Sequence, residues 1–124
     1  MATVTFSAAD DVLYAYLAGE IDHDAAQGLR IQLDDALLTR SPRILVMDLG
    51  GVGFMDSSGI GLVMGRYKLM QELGGTLHLV NVASHLKKVM VLAGLDRLAV
   101  LDRAERRPVP DKSAKAGGME DESN

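Results

Sequence analysis

The stretch from Ile44 to Leu73 constrains the fold of this chain most tightly. Ile44-Leu45-Val46-Met47-Asp48-Leu49 is an apolar run too short for a helix and rich enough in Ile and Val for a buried strand. Beyond Phe54-Met55-Asp56-Ser57-Ser58-Gly59-Ile60-Gly61, apolar residues recur at Ile60, Val63, Met64, Tyr67, Met70 and Leu73, the spacing of one helical face. Asp-Ser-Ser therefore falls where a turn enters a helix. Its side-chain oxygens suit that place, because they accept hydrogen bonds from the first unpaired backbone N–H groups. Gly59 and Gly61 are less expected, since glycine within a helix costs up to about 1 kcal/mol relative to alanine. Their placement predicts a close approach to the backbone, by a neighbouring strand or by a partner protein.

The rest of the chain repeats the same alternation. Val4-Thr5-Phe6 and Val12 to Ala18 read as two strands joined by a turn at Ala8–Asp11, the makings of an antiparallel hairpin. Gly19 to Asp24 leads into a helix whose inner stripe is Ala26, Leu29, Leu33 and Leu37. Asp22 or Asp24 can cap it, Asp24 and Gln27 having the spacing of a capping box. Gly28 predicts another close backbone approach, and Ser41-Pro42 ends the helix. Gly74-Gly75 ends the second helix, Thr76 to Asn81 reads as a strand with one face less covered, and Ser84 is placed to cap a third helix with Leu86, Val89, Met90 and Ala93 inward. Gly94 closes that helix, Leu98 to Leu101 reads as a last strand, and Ala104 to Arg107 has room for one or two helical turns.

From Pro108 the chain has almost nothing to bury. It holds four acidic and two basic residues there, so residues 1–107 read as one domain and 108–124 as a flexible acidic tail. Strand-helix alternation implies right-handed crossovers and a mainly parallel sheet of four to five strands behind the hairpin. Every strand-to-helix turn then emerges at one carboxyl edge, so Gly19–Asp24, Gly50–Ser58 and Asn81–Ser84 should cluster there.

Composition removes several classes of function. A formal net charge of −4 and the absence of Trp argue against a nucleic-acid surface. The absence of cysteine excludes disulfides and thiolate metal sites and suits a reducing cytoplasm. No apolar run approaches the ~18–20 residues of a membrane span. Gly-x-Ser-x-Gly is absent at the motif, and no Gly-Lys-Ser/Thr triplet marks a P-loop. His23, His78 and His85 are too scattered to identify a base. No metal site or cofactor is expected.

Two readings of Asp56-Ser57-Ser58 remain on the residues alone. The commoner is that all three merely cap a helix. The other makes a serine hydroxyl at the helix entry a phosphoryl acceptor, its product stabilised by backbone N–H groups and the helix dipole.

Phe54 to Gly61, followed by Gly65-Arg66-Tyr67-Lys68 and Gly74-Gly75, resembles the anti-sigma-factor antagonists of the STAS domain family, the sporulation branch above all. Gly19-Glu20-Ile21-Asp22-His23 and Ala93-Gly94-Leu95 fit the same pattern, and the resemblance spans roughly Thr3 to Arg106. It implies a STAS-like α/β fold and a non-enzymatic partner switch. It also implies that Ser57, directly after Asp56, is the phosphoacceptor. The implied partners are an anti-sigma factor that holds ATP or ADP and acts as the serine kinase, and a serine phosphatase that resets the cycle. Asp22, His23, Asp56, Ser58 and Gly59 are the expected partner contacts. A general-stress antagonist with the same chemistry, or a ligand-binding or scaffolding STAS domain whose Ser57 is never modified, are the competing readings.

Overall fold

A computed structural model describes residues 1–101. The expected turns at 104–107 and the tail at 108–124 lie outside the described residues. Five strands form one sheet in the order β1 (Ala2–Ala9), β2 (Val12–Ile21), β3 (Ile44–Met55), β4 (Thr76–Val80) and β5 (Val100–Leu101). β1 and β2 are antiparallel, paired from Ala2↔Gly19 to Ala9↔Val12, and the remaining pairs are parallel. The helices are α1 (His23–Arg40), α2 (Ser57–Glu72), α3 (Ser84–Leu92) and α4 (Leu95–Leu98). No helix among the described residues is long and apolar enough to cross a membrane.

Period-two alternation fixes which face of the sheet is dry. Leu13, Ala15 and Leu17 of β2, Leu45, Met47 and Leu49 of β3, and Leu77 and Leu79 of β4 are all essentially inaccessible. They cluster with Ala26, Leu29, Leu33 and Leu37 of α1 and with Leu62, Val63 and Met70 of α2. Burying each such leucine contributes roughly 1.5–3 kcal/mol, so this layer dominates the stability. On the other face the register aligns Tyr14, Val46, His78 and Val100 across four strands. There Tyr14 and Tyr16 stack at 6.3 Å, and His78 is half-buried, in keeping with the thinner cover expected of that side.

Several sequence expectations need correction. Gly50 to Met55 is strand rather than turn, because β2 also continues through Gly19 to Ile21 and the two pair as far as Ile21↔Met55. Gly51 serves the irregular pairing, since a Cβ there would lie 2.9 Å from Ala18 Cβ and 3.0 Å from Leu17 O, whereas Gly53 has open space. Gly28 has open space where a close contact was expected. Asp22 alone caps α1, accepting from Ala25 N at 2.9 Å, while the Asp24–Gln27 box is not made. α3 begins after Ala83 with no side-chain cap, so Ser84 is helical, and Val89 and Ala93 face outward. Leu98 ends the short α4 instead of opening β5. Gly74 and Gly94 take the left-handed conformation their cap positions require.

Candidate functional site

The paired ends of β2 and β3 set the geometry of the site. Ile21 and Met55 are register partners, and each is followed by an extended aspartate that starts a helix. Asp56 N donates to Ile21 O at 3.2 Å, tying the second helix entry to the first strand. Asp56 Oδ1 then accepts from Ser58 N at 2.8 Å. The Asp56 carboxylate is thus committed to capping and is held in place by it. Gly59 N and Ile60 N donate to Asp56 O, which starts α2 with a tight turn.

Within that first turn the two serines differ. Ser57 is exposed, whereas Ser58 is half-buried, with its Oγ 3.4 Å from His23 Nδ1. His23 Nε2 lies 3.3 Å from Gln27 Nε2 one turn along α1, so the imidazole bridges the two helix entries. Asp22, His23, Asp56, Ser57 and Ser58 are therefore brought together at one edge, as the topology predicts. Gly59 is the exception among the expected partner contacts. It is buried, and a Cβ there would run into Met55 Cγ and come within 3.2 Å of Ile21 Cγ2. Its lack of a side chain lets α2 settle on the strand ends, so its place is internal. Gly61 has no such neighbour.

Two features of this edge escaped the sequence reading. Phe54 is 49% exposed beside the motif. Between α1 and α2 runs an open groove of about 360 Å³, with His23 and Ser58 at one end, Gly61 and Gly65 along α2, and Arg30 and Arg66 further along. Arg66 is only 5% exposed. Its Nε lies 3.0 Å from Asp34 Oδ1, a charge pair not aligned as a hydrogen bond. Its Nη1 is buried with no hydrogen-bond partner among the described residues. Burial holds the Arg66 pKa below the ordinary arginine value, Asp34 opposes that shift, and Arg30 adds to it. The guanidinium nonetheless stays protonated at any pH of interest. Leu62, off the apolar stripe of α2, is nonetheless 4% exposed and belongs to the core.

Asp48 anchors the site from behind. Its carboxylate accepts from Gly50 N at 2.8 Å and from Asn81 Nδ2 at 3.0 Å, joining the middle of β3 to the end of β4. Among the described residues no cluster of three His, Asp or Glu side chains has the geometry to hold a metal.

Comparison with known proteins gives a consistent result. The STAS domain family matches residues 4–107. An anti-sigma F factor antagonist from Paenibacillus polymyxa is 36% identical over 87 residues, which span 70% of this chain and 74% of the relative. An anti-sigma-B factor antagonist from Bacillus subtilis is 35% identical over 79 residues, 64% of this chain and 71% of the relative. The structure of the Bacillus cell fate determinant SpoIIAA in its phosphorylated form superposes with a TM-score of 0.68 at 26% identity, covering 84% of this chain and 93% of that one.

Proposed function

The chain belongs to the STAS domain family, and from that membership we propose that it is a non-enzymatic anti-sigma-factor antagonist switched by phosphorylation of Ser57. In its unmodified form it binds an anti-sigma factor and so frees the sigma factor. That anti-sigma factor, holding ATP, is also the kinase. The relatives bearing the antagonist name support the role, and the exposed Ser57 hydroxyl in the first turn of α2 is the observation that carries the switch.

The chemistry follows from the position. Ser57 Oγ attacks the γ-phosphoryl group of ATP, the bond to the β-phosphate oxygen breaks, and ADP leaves while the hydroxyl proton goes to a base of the kinase. Asp56 is a poor choice for that base, since its carboxylate is engaged by Ser58 N–H. Phosphoserine at a helix N-terminus is favoured by the dipole by roughly 0.3–2 kcal/mol, so the fold tolerates it. The partner does not: about two negative charges added beside Asp22 and Asp56 bring repulsion and a desolvation cost to the contact. A serine phosphatase restores the hydroxyl.

Incubation with the anti-sigma factor and ATP, followed by mass spectrometry and a binding measurement on the same sample, tests the proposal. One phosphoryl group on Ser57 and loss of the complex are expected. Unchanged labelling of the Ser57→Ala variant would move the acceptor elsewhere. The similarity to a sigma-B antagonist favours a second reading, in which the same chemistry serves a general-stress pathway. Which anti-sigma factor retains the unmodified chain decides between the two.

A further inference from the structure

We infer that the groove between α1 and α2 seats a single acidic side chain of the anti-sigma factor, received by Arg66 and Arg30. This deepens the function proposed above and rests on it. Three observations carry the inference. Arg66 lines the groove while 5% exposed, and one of its guanidinium nitrogens has no partner among the described residues. An unmet buried N–H is costly, and a cation so placed is met best by a charged acceptor. Second, the charges that bear on Arg66 do not balance: Arg30 and Arg66 carry two positive charges against the one of Asp34. One carboxylate brings this set to neutrality, whereas a phosphate group near −2 overshoots it. Third, Gly61 and Gly65 have no atom within 4 Å of where a Cβ would stand, so α2 leaves a side-chain-sized trough open toward the arginines.

The groove begins at Ser58 and His23, so a partner seated on the Ser57 turn lies over its mouth. The planar fork of arginine matches a carboxylate in a way that a lysine does not. The acidic side chain would therefore fix the register of the complex, while Ser57 controls whether the complex forms.

Binding of the anti-sigma factor to four forms of the chain tests this: wild type, Arg30→Glu, Arg66→Met and Asp34→Asn, each checked for an unchanged circular dichroism spectrum. Arg30 is exposed, so its variant keeps the fold whatever happens at Arg66. Arg30→Glu and Arg66→Met should each weaken binding about tenfold or more, as removal of one member of a desolvated interfacial pair does. Asp34→Asn should tighten it, since a competing carboxylate has been removed. A merely structural role for the Arg66–Asp34 pair predicts instead that Arg66→Met and Asp34→Asn weaken binding together while Arg30→Glu is neutral, and that result overturns the inference. So does wild-type affinity in both arginine variants. Failure of the wild-type chain to bind any anti-sigma factor sinks the function first and this inference with it.

Discussion

Asp22 and Asp56 adopt nearly the same backbone conformation, φ −100° and ψ −170° for one and φ −97° and ψ −167° for the other, one residue beyond a register pair of adjacent parallel strands. Two helices thus start side by side with their positive ends at the same edge. A hydroxyl in the first turn of one helix lies within reach of whatever binds the other. This doubling, rather than either cap alone, makes the edge suitable for a charge-controlled contact.

Substitution at Ser57 should separate stability from binding. Ser57→Asp places a charge where the helix dipole accepts it, so the melting temperature should hold, while affinity for the anti-sigma factor falls about tenfold or more. Ser57→Ala should bind like wild type and take up no phosphate. Calorimetric titration of both variants checks this, and an aspartate variant that binds at full strength would contradict the switch.

Asp56 is predicted to matter for folding before it matters for binding. Asp56→Ala removes the oxygen that Ser58 N donates to and should cost about 0.5–2 kcal/mol. Asp56→Asn keeps an acceptor and should recover most of that. Chemical denaturation with urea resolves the difference.

Two glycines two positions apart near the start of α2 should respond in opposite directions. Gly59→Ala drives a methyl group into Met55 and Ile21 and should destabilise by about 1–3 kcal/mol. Gly61→Ala meets open space and should stabilise α2 by up to about 1 kcal/mol. Thermal melts of the two variants beside wild type give the comparison directly.

Phe54 offers a test of the interface alone. Half exposed beside the Asp56-Ser57-Ser58 turn, it would serve the proposed complex as an apolar anchor. Phe54→Ala should leave the melting temperature within a few degrees of wild type and reduce affinity for the anti-sigma factor. Equal affinity would place the interface on the α1 side of the turn.

Asp48→Ala should loosen the strands that carry the site. It removes the acceptor for Gly50 N and Asn81 Nδ2 together, and hydrogen bonds to a charged, buried group contribute about 1.5–3 kcal/mol each. Amide exchange at Gly50 is expected to speed up by the corresponding factor.

Much of this arrangement was legible in the sequence. Long periodic segments carry their own signal, and the stripe Ala26, Leu29, Leu33 and Leu37 is buried as the spacing requires. Asp-Ser-Ser at a helix entry was legible for the same local reason. Gly50-Gly51-Val52-Gly53 was not, because a glycine demanded by a neighbouring strand, as at Gly51 beside Ala18, looks the same in one dimension as a glycine demanded by a turn. Periodicity points Val89 inward, but α3 is short and buried only along the line of Leu86 and Met90. Arg66 stands out only as part of the Gly65-Arg66-Tyr67-Lys68 motif, with nothing to mark it as buried. Its burial depends on α1 lying alongside α2, which no local pattern encodes.

β3 reaches seven residues past Asp48, its last position paired with β4, and beyond that point its partner among the described residues is β2 alone. Ser57 consequently stands at the end of a strand pair that runs on the order of 20 Å past the last β4 pairing, with Ile21, Val52 and Met55 held in the core. No β4 pairing continues beside that end, so the nucleotide cleft of the proposed kinase would meet Ser57 at an edge where only one strand neighbour has to be accommodated.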